Sequence, residues 1–419
     1  MENKKAPIIL QINILCGAGS TGRIAENIGK LIEENGMKSY ICYGFGKSDV
    51  PNSIKIGNQF SYYLHNVLSK LFCSQGLFSK FATFLFIQKL KKIEPDIIHL
   101  HNIHGNYLNY PLLFKYINKR NIPVVWTLHD TWVFTGKCVH FDFVKCDKWE
   151  KRCCHCPILS DYPKSYYFDR TTSNFDKKKR IFSSAKNITL VSPSNWLEKL
   201  VKRSFLKNKK IVVIPNGIDI NIFRKTKEHT MDASNFIILG IANEWTQSKG
   251  LKDFVELSRR LDSCFKIVLI GVSKNQKNEL KEERITFVNR SNNYDILVEW
   301  YNNADVLVNP TYEDNFPTVN LEAMACGTPV ISYNTGGSPE SINHETGIVV
   351  EKGNINELIT VLEKMKNKEL IFNGDSCIKN IKDNYISYNK FQEYINLYKK
   401  ILSDDISDER INQSWIFLL

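Results

Sequence analysis

Two carboxylates stand eight positions apart in the run DNFPTVNLEAMACGTPV, with Asp314 at its head and Glu322 in its middle. A proline-containing turn leads from Asp314 into a short apolar stretch stopped by Gly327, so the pattern predicts a helix over 318–326. The runs 304–310 before it and 329–332 after it read as buried strands. A loop that climbs from a strand into a helix presents unpaired backbone N–H groups and the positive end of the helix dipole, which suits an anion. With one acid ahead of the helix and one inside it, the pair can grip the two ends of one extended ligand. Glu313 is a competing first acid. Two acids alone would equally fit a capped surface helix.

Other groups bear chemistry too. Lys249, followed by Gly250, stands where a helix of the second half opens, and a lysine there can neutralise a phosphate as a compact charge. His129 and Asp130 close the run VVWTLHD just past a buried strand, where parallel sheets put their ligand crevices. His99, His101 and His104 flank another strand end, with His99 and His101 on one face by alternation. They line a cleft or, for His99, simply pack. Gly17, Gly19 and Gly22 follow the first strand at the dinucleotide-binding spacing, but that fingerprint needs an acid about 20 residues further on. The second strand runs into CYGFG, and the nearest acid is Asp49, beyond the loop, so dinucleotide binding is not expected. The glycines still let a phosphate or sugar approach the backbone, with Arg23 just beyond. A tight turn without ligand is the alternative.

Five of the 11 cysteines fall between residues 138 and 156. Cys138, Cys146, Cys153 and Cys156 could complete a tetrahedral thiolate site for a structural zinc, with His140 and His155 as alternative ligands. Free thiols or a redox pair compete with that reading.

The elements that must position these groups form an alternating series. Apolar runs at 8–15, 39–43, 96–101, 124–128, 189–192 and 211–214 are separated by amphipathic segments, and the pattern restarts at 236–242, 265–270, 285–288, 306–309, 330–332 and 348–350. Short apolar strands between helices argue for parallel sheets covered on both faces. The fold class is α/β, with two doubly wound Rossmann-like domains. Expected bounds are 1–214 for a basic N-terminal domain with a cysteine-rich insertion at about 136–160, and 215–387 for the second domain. The boundary falls in the turn 215–219 and the polar stretch 225–234. A helix over 388–403 and a tail over 404–419 follow.

The acid pair with its AMACGTPV tail resembles the E-x7-E signature of retaining, nucleotide-sugar-dependent glycosyltransferases of family 4, and His129-Asp130 and Lys249-Gly250 match further motifs of that family. The resemblance runs from Gly17 to Glu340, and TWVFTG at 131–136, CDKW at 146–149 and Asp169 to Thr171 resemble a subgroup active in surface polysaccharide synthesis, colanic acid among them. It implies the GT-B fold, two domains facing a central cleft, with the final helix crossing back to the N-terminal domain. It further implies a hexosyl unit moved from a nucleotide diphosphate sugar to a glycan or lipid-linked acceptor with retention, without a catalytic metal. By the same resemblance His129, Asp314 and Lys249 are catalytic. Gly19, Arg23, Phe316, Pro317, Thr318, Val319, Glu322, Gly336, Gly337 and Glu340 bind the donor, and His101, His104 and Asp130 face the acceptor. The chain departs from the family in having Asp314 where Glu is usual, and Glu244 where an arginine precedes the phosphate lysine.

Composition narrows the partners. Residues 1–210 hold 33 Lys and Arg against 15 Asp and Glu, whereas the whole chain holds 56 against 44, leaving 23 against 29 for the remainder. Such asymmetry points a basic half at an anionic membrane, a phosphate-bearing acceptor or nucleic acid. The aromatic, lysine-bearing stretch 60–93 fits either core-packing helices or a membrane-surface pair. No apolar run reaches the roughly 18 residues of a membrane helix, and the apolar start reads as a strand. The expected location is the cytoplasm, peripheral at the inner face of the plasma membrane. A zinc-stapled nucleic-acid-binding protein, or a related sugar phosphorylase or epimerase, are the rival readings; the first leaves both acids, Lys249 and His129 unexplained.

Overall fold

The computed structural model describes residues 5–226, 235–280, 282–289 and 293–416, with side chains as far as 404. Most of the polar stretch 225–234 therefore lies outside the described residues. The chain divides into two compact units. The first comprises the chain up to Pro193, Leu197–Ile214 and everything from Phe391 onward; the second comprises Ser194–Trp196 and Pro215–Lys390.

In the first unit the described strands are β1 (Ile8–Asn13), β2 (Lys38–Tyr43), β3 (Ser53–Lys55), β4 (Ile97–Leu100), β5 (Val124–Thr127), β6 (Ile188–Ser192) and β7 (Lys210–Val213). They form a parallel sheet in the order β3-β2-β1-β4-β5-β6-β7. The strands β1, β4, β5 and β6 are buried along their whole length, which is why they read as continuous apolar runs. One core brings Ile9, Ile97, Val125 and Val191 of the sheet against Ile28 and Ile32 of the helix Gly19–Glu34 and against Phe391, Tyr394, Ile395 and Tyr398. The last four lie on the helix Ser387–Ile416, so the end of the chain completes the core begun by its first strand.

The second unit repeats the plan. Its described strands β8 (Phe236–Ile241), β9 (Phe265–Ile270), β10 (Ile285–Val288), β11 (Val306–Asn309), β12 (Val330–Tyr333) and β13 (Gly347–Val350) are ordered β10-β9-β8-β11-β12-β13, all parallel. One face packs Phe254 and Leu257 of the helix Leu251–Arg260 and Leu358 and Leu362 of the helix Ile355–Lys366. The other packs Tyr301, Leu321, Met324 and Ile381. In both sheets the strand order reverses, between β1 and β4 and between β8 and β11.

The pattern at 60–93 forms two helices, Gln59–Phe72 and Lys80–Ile93. Each buries one side only, so a purely core-packing reading of this stretch is corrected: Phe60, Phe81 and Phe84 stay more than half exposed. The helix Gly374–Asn384, unforeseen from the sequence, is capped by Asn373 and buries just Cys377 and Ile381. Two buried positions in eleven give a weak periodic signal.

Ile395 is fully buried. Ile395→Ala is expected to cost about 2–5 kcal/mol of first-unit stability in denaturant unfolding. A cost near zero would place the last helix outside that core.

Candidate active site

In an open parallel sheet, ligands settle beyond the carboxyl ends of the strands where the order reverses. In the second unit those ends belong to β8 and β11, and they lead to Lys249 and Asp314 respectively. The Lys249 Nζ lies 2.7 Å from Asp314 Oδ2, and also donates to the Glu313 carbonyl at 3.3 Å. Glu313 thus meets the lysine through its backbone, and Asp314 through its carboxylate. Both partners are partly exposed, and such a pair stabilises a fold by at most about 1 kcal/mol. Its geometry is the informative part: it fixes a cation and an anion at the mouth of one crevice.

The loop carrying Asp314 is pinned from below. The Gly337 N–H donates to the Asp314 carbonyl at 3.2 Å, and Gly336 sits at φ +59° with its missing Cβ position 1.8 Å from that oxygen. A side chain at residue 336 would meet both left-handed strain and a backbone clash, so the glycine is required. Gly250 is similarly placed, at φ +77° with its Cβ position 2.4 Å from the Pro310 carbonyl oxygen. The two glycine turns let the loops after β8, β11 and β12 stack against one another.

Phe316 and Pro317 then lead into the helix Thr318–Ala325, whose N-cap Pro317 gives no side-chain cap. Its opening N–H groups follow directly on Asp314, an arrangement suited to a phosphate. Within the helix, Glu322 Oε2 accepts a 2.8 Å bond from the buried Tyr301 hydroxyl, which holds the carboxylate in one orientation. Glu340 is engaged differently: its carboxylate accepts from the Asn195 and Trp196 backbone N–H groups at 2.8 and 2.7 Å, and from the Asn195 amide at 3.0 Å. That is a structural clamp within the second unit.

In the first unit the reversal lies between β1 and β4. Asn13, at the end of β1, donates to the Leu15 carbonyl and to Thr21 Oγ1, and accepts from the Asn102 N–H, so it shapes the glycine loop and ties it to the end of β4. Gly19 opens the following helix and Arg23 is exposed on it. Beyond β4 and β5 the histidines assemble into a chain. His101 Nδ1 is 3.0 Å from His129 Nε2, with the rings stacked at 16°, and His101 Nε2 is 3.1 Å from Gln11 Oε1. Gln11 uses its amide N–H₂ on the Ala25 carbonyl, which leaves Oε1 as the acceptor. His101 therefore carries its proton on Nε2, and neutral His129 donates from its own Nε2.

His99 is packed and does not line a cleft: it is fully buried, 2.8 Å from Thr127 Oγ1 and 2.7 Å from the Tyr398 hydroxyl. The partner of His104 is Asp130, at 2.8 Å, and Asp130 also accepts from the Trp132 N–H. Burial alone would raise the Asp130 carboxyl; the His104 ring and these bonds outweigh it and hold the group below its usual range.

Residues 235–367 match the family model "Glycosyl transferases group 1", and residues 22–222 match "Glycosyltransferase Family 4". The chain belongs to the family 4 glycosyltransferases. It is 25% identical over 425 residues to the putative colanic acid biosynthesis glycosyl transferase WcaC of Escherichia coli K12, covering 94% of this chain and all of that protein. The capsular polysaccharide biosynthesis glycosyltransferase CapM of Staphylococcus aureus is 27% identical over 228 residues, 49% of this chain and 60% of CapM. Among solved structures, sucrose-phosphate synthase of Thermosynechococcus elongatus superposes with a TM-score of 0.70 at 17% identity over 95% of this chain and all of that one. Anabaena HepE, solved with UDP-glucose, gives 0.63 at 15% identity over 94% and 99%. These likenesses establish the GT-B fold.

The cysteine reading is corrected in this glycosyltransferase. Cys138 and Cys156 bring their sulfurs to 3.9 Å, and Cys153 accepts from the Gly136 N–H. Yet among the described residues no group of three or more His, Cys, Asp or Glu side chains is arranged to hold a metal ion, so the expected zinc site at Cys138, Cys146, Cys153 and Cys156 is not supported. Lysines fasten the insertion instead. Lys137 donates to the Ile158 and Asp161 carbonyls, and Lys178 to those of Trp132 and Thr135, with its ammonium 3.4 Å from the centre of the Trp132 ring. Burial lowers Lys178 to about 7. A buried lysine serving carbonyls leaves no spacing for a sequence to betray, and Tyr301, 21 residues from Glu322, was missed for the same reason.

Burial lowers His99 to about 3 and His129 to about 4, with Asp130 opposing and His104 reinforcing the latter shift; His101 lies well below its usual value for the same first reason. These rings are neutral when folded and titrate near 6.5 when unfolded, so the unfolded chain takes up protons first. Their stability contribution is present above about pH 6.5 and is lost as pH falls toward 4. For His99 alone the loss expected across that window is on the order of 3 kcal/mol, read as a falling melting temperature. His99→Gln is expected to flatten the slope; an unaltered slope would show that His99 does not contribute to it.

Proposed function

We propose that the protein transfers a hexosyl unit from a nucleotide diphosphate sugar to a glycan or lipid-linked oligosaccharide in surface polysaccharide biosynthesis, with retention at the anomeric carbon. The observation that carries this reading is the Lys249–Asp314 pair at the β8/β11 reversal, directly before an uncapped helix N-terminus. The names of WcaC and CapM support the pathway class, and HepE with UDP-glucose supports the donor class.

In this mechanism the diphosphate lies against the turn Phe316–Pro317 and on the N–H groups of Thr318 and Val319, with Lys249 beside it, where a compact cation and oriented dipoles stabilise the departing charge. Pro317 has no N–H, and that of Phe316 donates to Asp314 Oδ1 at 3.3 Å. Glu322, oriented by Tyr301, takes the ribose hydroxyls. Asp314 accepts from a hydroxyl of the donor sugar, and His129 serves as a catalytic group of the first unit. Gly19, Arg23, Gly336 and Gly337 serve the donor, and His101, His104 and Asp130 the acceptor side. The clamp made by Glu340 keeps the loop of Gly336 and Gly337 in place. The acceptor oxygen bonds to the anomeric carbon on the face from which the diphosphate leaves, as the carbon–oxygen bond to the diphosphate breaks. The acceptor proton passes to the departing phosphate oxygen. Asp314 forms no covalent intermediate, and no catalytic metal takes part. The setting is the cytoplasm, at the inner face of the plasma membrane.

A thermal-shift screen against UDP, GDP, ADP and their sugars tests this directly. One nucleotide should raise the melting temperature, and Glu322→Ala should weaken its binding by about tenfold or more, roughly 1.4 kcal/mol. Tyr301→Phe should weaken it less. Folded protein indifferent to every nucleotide would sink the proposal.

A further inference from the structure

The helices Gln59–Phe72 and Lys80–Ile93 leave a set of large apolar side chains in solvent that no part of the site above uses. Phe60, Tyr63, Leu64 and Val67 recur at the spacing of one helix face, and Phe81, Phe84 and Leu85 do the same on the second helix. All seven are between 47 and 75% exposed. A surface helix ordinarily turns polar residues outward at such positions, and contiguous exposed apolar faces mark interaction sites. The first helix is tied to the turn that opens the second: neutral His65 lies 2.7 Å from Ser79 Oγ through Nδ1 and accepts the Phe78 N–H through Nε2.

Charge identifies what this face meets. No Asp or Glu stands between Asp49 and Glu94, while that interval holds Lys55, Lys70, Lys80, Lys89, Lys91 and Lys92. Beyond the end of the first helix, Phe168 stacks on Phe72 with ring centres 5.7 Å apart, and the Arg170 guanidinium lies over both rings. Tyr166 joins this edge through its N–H bond to the Lys70 carbonyl, and Tyr166 and Tyr167 are exposed. Arg170, Lys177, Arg180 and Arg152 line a surface groove there together with Asp169 and Asp176. Aromatic and aliphatic side chains bordered by lysine and arginine match the boundary between acyl chains and anionic headgroups, where rings enter the interface and cations hold the lipid phosphates. A second copy seated on the same face would set this acid-free, lysine-bearing interval against itself.

We infer that this face docks the first unit on an anionic lipid bilayer, with Phe60, Tyr63, Leu64, Val67, Phe81, Phe84 and Leu85 entering the interface and the flanking lysines and Arg170 holding headgroup phosphates. The inference needs nothing from the donor site and stands apart from the transferase mechanism.

Flotation of the full chain with lipid vesicles tests it. Wild type should float with phosphatidylcholine vesicles containing about 30 mol% phosphatidylglycerol, not with phosphatidylcholine alone, and less as salt rises. The variant Phe60→Ser/Leu64→Ser/Phe81→Ser/Phe84→Ser changes only exposed positions and should lose about tenfold or more in partitioning, with circular dichroism melting and nucleotide-induced thermal shift both retained. Lys80→Gln/Lys89→Gln/Lys92→Gln should weaken binding to the anionic vesicles alone. Wild type that fails to float, or a serine variant that floats as well as wild type, would overturn the inference. So would light scattering that shows a dimer dissolved by the serine variant. The retained nucleotide shift separates these failures from failure of the donor reading.

Discussion

The reversal of strand order in each sheet is the constraint on which the rest depends. Parallel strands must be joined by crossovers, and the crossovers run right-handed, so a sheet built outward in both directions from one strand leaves adjacent carboxyl ends whose connections diverge. In the second unit those ends are β8 and β11. The divergence leaves room for Lys249 and Asp314 to meet at 2.7 Å, and glycines at 250 and 336 allow the loops to close on one another where a Cβ would strike backbone oxygen. The first unit obeys the same rule at β1 and β4, where Asn13 ties the glycine loop to the strand end beside His101.

Much of this was legible in the sequence because continuous apolar strands, a glycine stop and a helix-opening turn are local signals. The twelve anticipated strands are all present, and the helix predicted over 318–326 is observed at Thr318–Ala325. The three-residue edge strand Ser53–Lys55 had too little apolar content to register. Long-range polar pairing was the harder part. The hold of Tyr301 on Glu322 and the sequence Tyr398–His99–Thr127–Tyr394 depend on which helix returns to which sheet, and spacing does not encode that. The cysteine cluster misled because thiol spacing alone suggests a metal, whereas lysine ammonium groups buried on carbonyls fasten the same insertion.

The two units bear different electrostatic burdens. The first carries the positive excess, and within it burial keeps His65, His99, His101 and His129 neutral, with the ring nitrogens of His99 and His101 matched to a hydroxyl, an amide oxygen or a second ring. Its surplus cations lie outward, around the helices whose apolar faces remain exposed. The second unit carries a slight acidic excess and places one lysine where an anion would meet a helix N-terminus. A separation of this kind is what the two proposals require, an anionic nucleotide on the second unit and an anionic lipid surface on the first.

The most direct measurement is a calorimetric titration of UDP, GDP and ADP into wild type and Lys249→Ala. The nucleotide that binds wild type should bind the variant about 100-fold more weakly, roughly 2.7 kcal/mol, while unfolding stability changes by no more than the about 1 kcal/mol of a surface pair. Equal affinity in the two chains would contradict the account, as would folded wild-type protein that binds none of the three.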